Sequence, residues 1–475
     1  MPASLLRTKP LSQLLVDPQS ARGSLRKTLG AWDLVALGIG CIIGVGVFVL
    51  PGVEAATHAG PGIILSFAIA ALACACAALC YAELAAMIPV AGSAYTYSYA
   101  TLGELVAWVI GWDLILEYMV GASLVSIGWS AYLVNLLDNL LRPFGLTLPR
   151  ALVASPWADQ PGIVNLPAIL VVGLLTWLLV IGIKESARVN LGIVIVKVSV
   201  ILFFILAAVW FVKPANWQPF APFGFGGIAT AAAIVFLAYI GFDAVSTAAE
   251  EAVNPQRDMP IGIIGSLVVA TVLYMAVAAI MTGVVPYTKL GVADPIALVL
   301  NELGMTWASM IISLGAIAGI TSVLLVLLLG QPRILFAMSR DGLLPSALSK
   351  VHPRYRTPYL TTIMTGVVVA FAAAFTPIQV VAELCSIGTL FAFLLVCGGV
   401  LVLRYTRADI ERPFRAPLSP FLPLAGIGLC GYLMLSLPDT AWKRFGVWLV
   451  VGLVLYFLYA RRHSALSARQ SGGQD

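Results

Sequence analysis

Twelve apolar runs, each long enough to cross a bilayer, constrain this chain more than any other feature of its sequence. A transmembrane helix needs about 20 mostly apolar residues to cross about 30 Å of hydrocarbon. The runs lie at residues 32–50, 62–88, 103–137, 164–183, 189–212, 226–249, 260–285, 306–332, 358–376, 380–403, 418–437 and 444–460. The chain is 60% hydrophobic and only 10% charged, whereas soluble domains are about 25% charged. The sequence therefore predicts an all-α integral membrane protein with about twelve transmembrane helices.

The positive charges predict how the chain is oriented in the membrane. With the amino terminus inside, 20 of the 27 Lys and Arg residues lie on the cytosolic side, and six lie outside. This asymmetry follows the positive-inside rule and predicts cytosolic tails at 1–31 and 461–475. No small-residue cleavage site precedes the first run, so we expect an uncleaved first span. The net charge of +5 is explained by this bias and indicates no nucleic-acid partner.

Two of the runs contain sequence that interrupts a helix. The first holds four glycines within nine residues, from Gly38 to Gly46, and the sixth holds the sequence YIGFD at 239–243. Backbone groups freed by such breaks are costly in lipid, so the breaks usually line a cavity. The interrupted runs are the first members of two sets of five. Because two sets of five spans point in opposite senses, this arrangement predicts a 5+5 inverted repeat with a binding site near the membrane midplane.

The predicted repeat divides the chain into a first half at 32–212 and a second half at 226–403. Residues 418–460 then form two peripheral spans outside the repeat. No sequence identity between the halves supports the repeat, which is inferred from the positions of the breaks alone.

Four motifs resemble those of the amino acid–polyamine–organocation transporters. They are GIGCIIGVGVF at 38–48, PVAGSAYTYSYATLGELVAWVIGW at 89–112, EEAVNPQRDMP at 250–260 and RILFAMSRDGLLP at 333–345. As a set they most resemble the bacterial twelve-span relatives of the cationic amino acid transporters. The resemblance implies the 5+5 repeat, a plasma-membrane location and transport of L-amino acids. Bacterial members of this group include carriers of small neutral amino acids.

The two breaks are the predicted substrate site. An unwound segment would offer N–H groups to a substrate carboxylate at the start of a half-helix, and the second break would offer carbonyl groups to the substrate ammonium. Tight packing of small residues is the alternative for the first break, although four glycines exceed what one packing face needs. Phe236 and Leu237 stand where family members often carry an aromatic gate, so the gate residue is left open. The predicted substrate-binding residues are Ile42, Ile43, Gly44, Val45, Gly46, Phe236, Leu237, Ala238 and Ile240.

Lys197 is the predicted coupling residue. It lies about eight residues, or about 12 Å, inside the fifth run, which is far for a lysine that reaches to the membrane surface. Burial disfavours the charged form of a lysine, so Lys197 can lose and regain a proton. In sodium-coupled relatives of this fold a cation occupies the corresponding position, and the resemblance gives Lys197 the hydroxyls of Thr321 and Ser322 as partners. A fixed ammonium there indicates proton coupling or exchange and argues against sodium.

Glu117 and Asp243 are the other deep charged residues assigned to coupling, and Asp113 lies one turn before Glu117 on the same helix face. The alternative is that these carboxyl groups cap broken helices or pair with Lys197 without moving a proton. His58, His352 and His463 are expected in loops or tails. The sequence thus predicts no metal site and no histidine relay across the membrane.

These observations together predict a secondary active amino acid transporter. A channel would need a ring of like residues, an enzyme a reactive constellation, and a primary pump a GxxxxGK[ST] motif; the sequence shows none of these. We expect proton-coupled uptake of neutral L-amino acids, with an exchanger or a cationic amino acid carrier as the alternatives. No cofactor beyond the coupling proton is expected, the lipid bilayer and the substrate are the expected partners, and the sequence indicates no protein partner.

Overall fold

The computed structural model of the chain is almost entirely helical. It describes residues 29–87, 93–158, 161–182, 187–242, 245, 252–355, 357–406 and 411–464. Within these ranges there is no β-strand, and the only β-type pairings are two isolated bridges, one of which joins Leu29 to Ala252. An apolar chain in lipid must satisfy its backbone internally, and helices do so within one segment. The all-α prediction is confirmed for this part of the chain.

The described residues form the following α-helices of four or more residues, with short 3₁₀ and π turns between them. They are α1 (Ala31–Ile42), α2 (Val45–Phe48), α3 (Leu50–Glu54), α4 (Ile63–Met87), α5 (Ser93–Thr101), α6 (Glu104–Leu141), α7 (Leu166–Ile181), α8 (Ala187–Ala208), α9 (Gly224–Val235), α10 (Pro255–Val284), α11 (Pro295–Glu302), α12 (Thr306–Arg340), α13 (Tyr359–Phe375), α14 (Ile378–Thr406), α15 (Phe421–Leu435) and α16 (Asp439–Leu455).

Seven helical segments of the described residues are long and apolar enough to cross a membrane. They are Leu50–Met87, Glu104–Phe144, Leu191–Phe211, Pro255–Val284, Thr306–Arg340, Ile378–Thr406 and Asp439–His463. Five shorter apolar helices complete the set, at Ala31–Ile42, Leu166–Ile181, Gly224–Tyr239, Tyr359–Phe375 and Phe421–Leu435. Each segment overlaps one of the predicted runs, with clear differences at Ala31–Ile42 against 32–50 and Leu50–Met87 against 62–88, and together they are consistent with a polytopic membrane protein. The twelve crossings and the repeat remain predictions.

Helix α6 lies at the centre of the molecule. It packs against α12, α14, α13 and α5, while α1 packs against α10, α8 and α12. The outer helices carry large exposed apolar side chains instead, such as Leu170 and Trp177 on α7 and Leu206 on α8. Exposed apolar side chains of this size on a helix are suited to contact with lipid rather than water. The buried centre around α6, α1 and α12 is therefore where a polar site would be held.

The segment that follows α3 corrects one sequence prediction. His58 does not lie in a loop: it belongs to a π-helical turn at Ala55–Ala59, and its Nδ1 lies 2.8 Å from Oε2 of Glu54. The spacing of four residues brings the two side chains together on one helical face.

All seven cysteines are buried and unbridged.

Candidate functional site

The first break lies between α1 and α2. Helix α1 ends at Ile42, Ile43 is extended (φ −76°, ψ 104°), and Gly44 has φ −157° and ψ −135° before α2 begins at Val45. The predicted unwound segment of 42–46 is therefore too long, because Val45 and Gly46 are already helical. The N–H groups of Val45 and Gly46 lie in the first turn of α2, where no preceding helical carbonyl reaches them. They are available donors at the positive end of a short helix.

The second break follows α9. A 3₁₀ turn spans Phe236–Tyr239, Ile240 is extended (φ −58°, ψ 140°), and Gly241 has φ +117°. A φ in this region favours glycine, since a side chain would strain the backbone. Asp243, the next predicted site residue, lies outside the described residues.

The two breaks touch each other directly. A Cβ atom on Gly241 would lie 2.8 Å from the backbone carbonyl of Cys41, and one on Gly46 would lie 2.5 Å from Cβ of Ala238. Both contacts are too short for a side chain, so glycine at these positions permits the backbones to approach. Close approach of the two interrupted segments brings α-helix ends and carbonyl groups to one place.

A cavity opens at this junction. Its walls come from both breaks and from the central helices α6, α12 and α14. The lining residues are Cys41, Ile42, Gly44, Val45, Gly46, Glu117, Tyr118, Gly121, Leu124, Val125, Leu237, Ala238, Ile240, Gly241, Val323, Val326, Leu327 and Cys385. The walls are thus mostly apolar, with the backbone groups of the breaks and Glu117 as polar exceptions, as is common in small-molecule sites.

Seven of the nine predicted substrate-binding residues line this cavity. The seven are Ile42, Gly44, Val45, Gly46, Leu237, Ala238 and Ile240. Ile43 and Phe236 do not line it: both are fully buried, and the Phe236 ring packs edge-on against Phe393 at a centroid distance of 5.4 Å. The aromatic beside the second break therefore points into the core, and Leu237 is the side chain that reaches the cavity.

Tyr274 of α10 holds the two breaks together, and the sequence reasoning missed it. Its hydroxyl lies 2.9 Å from the carbonyl oxygen of Ile42 and 3.0 Å from that of Ala238, so one O–H is shared between two carbonyl acceptors. The side chain is fully buried. A buried tyrosine hydroxyl needs a partner, and a tyrosine deep inside an apolar run is the signal that could have found it.

Lys197 of α8 reaches the end of α1, beside the first break. Its side chain is fully buried, and Nζ donates a hydrogen bond of 2.6 Å to the carbonyl oxygen of Gly40. Its aliphatic stem lies against Gly319 of α12, where an added Cβ would come within 2.9 Å of Lys197 Cγ. The ammonium is therefore held between α1 and α12 by the lysine's own helix.

The two hydroxyls predicted as partners of Lys197 lie on α12 near Gly319. Thr321 Oγ1 donates to the carbonyl oxygen of Ile317 at 2.6 Å and accepts from Nε1 of Trp129 at 2.8 Å. Ser322 is buried, and its hydroxyl donates to the carbonyl oxygen of Gly319 at 3.0 Å. Their assignment to coupling remains a prediction.

Glu117 lies in the cavity wall and is 3% exposed. Three further lining residues of α6 follow from it by helical periodicity, since Gly121, Leu124 and Val125 lie four, seven and eight residues further on the same face; Tyr118, its direct neighbour, also lines the cavity. Likewise Val323, Val326 and Leu327 form one face of α12. The sequence could therefore have supplied these residues once one cavity residue per helix was known.

The chain is similar to known proteins over nearly its whole length. The family model described as "Amino acid permease" matches residues 29–462. The "Branched-chain amino acid permease BcaP" of Bacillus subtilis (strain 168) is 52% identical over 470 residues, covering 98% of this chain and 100% of that protein. The "Methylthioribose transporter" of the same organism is 49% identical over 465 residues, covering 98% and 100%. The "Cationic amino acid transporter 4, vacuolar" of Arabidopsis thaliana is 41% identical over 416 residues, covering 86% of this chain and 68% of that protein.

Proposed function

Because this chain belongs to the amino acid permease family of the amino acid–polyamine–organocation superfamily, we propose that it takes up neutral aliphatic L-amino acids together with protons. Family membership makes it a transporter rather than an enzyme, embedded in a membrane by several apolar helices. The finer statements about substrate and coupling are the proposal.

The observation that carries the proposed substrate class is the composition of the cavity. The two breaks offer N–H groups and carbonyl groups to the parts that all amino acids share, a carboxylate and an ammonium. The rest of the wall is built largely from apolar side chains, including Leu124, Val125, Val323, Val326 and Leu327. An aliphatic side chain gains free energy by leaving water for such a surface. A relative that is 52% identical to this chain is named as a branched-chain amino acid permease, which supports this choice.

Two other substrates have a specific observation in their favour. Glu117 in the cavity wall could accept a hydrogen bond from a cationic side chain, which is the feature that would make this a cationic amino acid carrier. A methylthioribose transporter is nearly as similar to this chain as the branched-chain permease. We favour neutral amino acids because the Lys197 ammonium lies near the same break and because Glu117 is the only acidic side chain among the described lining residues.

Proton coupling is supported by the position of Lys197. A buried ammonium bound to a break carbonyl occupies the kind of site that a sodium ion would need, and it can itself release and bind a proton. We propose protons as the coupling ion, without sodium, and exchange of amino acids as the alternative mode.

The proposed arrangement in the membrane follows the sequence. Residues 32–212 and 226–403 form the two inverted repeats, residues 418–460 the peripheral spans, and both tails lie in the cytosol of a plasma-membrane protein. The breaks that begin each repeat meet at the cavity, which is what an inverted repeat with a midplane site requires.

Uptake into vesicles containing the purified protein tests the proposal. We expect labelled leucine to accumulate when the outside is made acidic and to be unaffected by a sodium gradient. Unlabelled leucine and valine should compete best, alanine less well, and arginine and methylthioribose least. Arginine or methylthioribose as the strongest competitor would replace the proposed substrate, and sodium-driven accumulation would replace the proposed coupling ion.

A further inference from the structure

Asp113 of α6 is an acidic residue that the proposed function does not use. Its side chain is fully buried, and neither carboxyl oxygen has a hydrogen-bond partner among the described residues. A charged carboxylate deprived of both water and partners is strongly unfavourable, so the group is held there as a neutral acid. A buried polar group without partners in a native protein calls for an explanation.

Its position relative to the cavity supplies one. Glu117, which lines the cavity, follows Asp113 by four residues, so the two Cα atoms are about 6 Å apart along one face of the helix. The two carboxyl groups are close enough to repel each other when both are charged. The Cys385 thiol of α14 is the other titratable group in the described part of the chain that interacts with Asp113, and it also lines the cavity. Asp113 therefore lies one helical turn from the cavity residue Glu117, toward the amino-terminal end of α6.

The neighbouring helix leaves space for this carboxyl group. An added Cβ on Gly388 of α14 would lie 2.8 Å from Oδ1 of Asp113, closer than any real side-chain carbon comes. The carboxyl group thus fills the place where α14 has no side chain. Two residues before Asp113, Tyr95 approaches α6 at Gly111, and the Tyr95 hydroxyl donates a hydrogen bond of 2.7 Å to Asp341. Asp341 follows the end of α12, at the side proposed to face the cytosol.

We propose that Asp113 is a second proton-carrying residue of the translocation path, which exchanges a proton with Glu117. This inference rests on the proposed proton coupling. The structure then holds the pair after the transfer, with Asp113 as the neutral acid. The transfer starts from the state in which Asp113 has released its own proton toward the cytosol: the O–H bond of the Glu117 carboxylic acid breaks and a new O–H bond forms on the Asp113 carboxylate. Glu117 becomes the carboxylate, Asp113 becomes the acid, and the pair keeps one negative charge throughout. The proton thereby leaves the cavity toward the cytosolic end of α6, and Glu117 is ready to accept another.

The test compares two kinds of transport by the Asp113→Asn protein in vesicles. Asparagine has nearly the same shape but cannot carry the proton. We expect leucine accumulation driven by a pH gradient to fall to the level of equilibration, while counterflow exchange of leucine stays within about twofold of wild type. Retained pH-driven accumulation would show that Asp113 is only a structural neutral acid. Loss of both activities by a folded protein would place Asp113 in substrate binding instead, and either result overturns the proposal.

Two further measurements keep the test independent of folding and of the proposed function. Thr176→Val on α7 is the control variant. It removes a buried polar group that, like the Asp113 carboxyl group, has no hydrogen-bond partner among the described residues, and it should leave both transport activities unchanged. In infrared spectra, wild type should show a band of a protonated carboxylic acid that Asp113→Asn lacks. Absence of this band from wild type would show that Asp113 is not a neutral acid. If wild type itself fails to accumulate leucine under a pH gradient, the proposed coupling fails together with this inference. If wild type accumulates leucine under a pH gradient but Asp113→Asn does not give the expected result, only the role of Asp113 is refuted and the proposed proton coupling stands.

Discussion

Glycines at the cavity differ in the space they leave for a side chain. An added Cβ would lie 2.9 Å from Val323 Cγ2 at Gly44 and 2.5 Å from Ala238 at Gly46, but its nearest neighbours at Gly121 are Cys385 Sγ at 3.5 Å and Leu327 Cδ1 at 3.7 Å. The last two distances are ordinary van der Waals contacts. Gly121 therefore has room for a side chain, and that room belongs to the substrate cavity.

Filling this space should change which side chain the cavity accepts. We expect Gly121→Ala to weaken competition by leucine relative to alanine about tenfold, because one methyl group in an apolar pocket is worth about 1–3 kcal/mol of discrimination. The ratio of the two inhibition constants in an uptake assay measures the effect. Gly173→Ala on α7 is the matched control, since nothing lies within 4 Å of its added Cβ. An unchanged ratio in Gly121→Ala would mean that the substrate side chain does not lie against α6.

Asp294 predicts how the stability of the protein depends on pH. This residue precedes α11, outside the candidate spans, and burial raises the pKa of its carboxyl group to about 6, with a hydrogen bond from Asn135 acting in the opposite direction. An acid whose pKa is raised by folding stabilises the native state fully below its unfolded pKa of about 4, and this contribution is lost as the pH rises through about 6. Asp294→Asn has no such proton to lose.

We therefore expect the Tm of Asp294→Asn, measured relative to wild type in detergent, to increase between pH 4.5 and pH 7.5. The neighbouring Asp138, whose charge acts to raise the pKa of Asp294, offers a second check, since Asp138→Asn should shift the transition to lower pH. Parallel Tm curves for wild type and Asp294→Asn would exclude Asp294 as the titrating group.

At the scale of elements, the site depends on the contact between two interrupted helices. Glycines at 46 and 241 permit the approach, and the hydroxyl of Tyr274 on α10 ties the carbonyl groups of Ile42 and Ala238. The break carbonyls predicted to bind the substrate ammonium are thus also held by the protein. A carbonyl oxygen has two lone pairs, so each can still accept a second hydrogen bond.

Removing this hydrogen bond should weaken both the fold and the site. We expect Tyr274→Phe to lower Tm, because buried carbonyl groups left without a donor cost about 1–3 kcal/mol of stability. We also expect it to lower substrate affinity about tenfold, because the two breaks are no longer held in register before the substrate binds. Equilibrium binding of leucine to the purified protein is the measurement. Tyr239→Phe is the control: it loses a comparable bond of 3.1 Å to the Phe67 carbonyl of α4, and it should lower Tm with little change in affinity. Equal losses of affinity in the two variants would contradict the special role of Tyr274.

For the molecule as a whole, transport requires the first break to change its neighbours during each cycle. Lys197 belongs to α8, binds Gly40 of α1 and packs against Gly319 of α12. Its contacts therefore depend on how three helices, drawn from both proposed repeats, are placed relative to one another. In the proposed mechanism, the ammonium loses its carbonyl partner when α1 moves away, while it remains out of water. We expect it then to release its proton, which would couple proton movement to the conformational change.

Lys197→Met should therefore abolish leucine accumulation driven by a pH gradient, since methionine fills similar space without carrying a proton. Counterflow exchange at equal concentrations should survive, at a reduced rate. The uptake and counterflow assays on the same vesicles measure both. Undiminished pH-driven accumulation by the variant would show that the lysine only supports helix packing.

The sequence by itself determined the class of protein, the positions of the apolar helices, the two breaks and the deep lysine. Each of these follows from local information: the length of an apolar run, helix-breaking residues within it, or one charge where lipid disfavours charge. The sequence also placed Lys197 deep in the fifth run, and the structure shows its bond to the Gly40 carbonyl group. Its role in coupling stays a prediction.

Only the tertiary structure decided which residues meet. Four features depend on contacts between helices that are far apart in the chain. They are the short unwound segment of the first break, the burial of the Phe236 ring in the core, the hydrogen bonds from Tyr274 to both breaks, and the space that Gly388 leaves for the Asp113 carboxyl group. An apolar helix in lipid satisfies its own backbone and has apolar neighbours on every side, so hydrophobic periodicity does not mark its inner face. The rotation of each helix is fixed by close packing of small residues and by a few buried polar groups, and these are seen only when the helices are assembled.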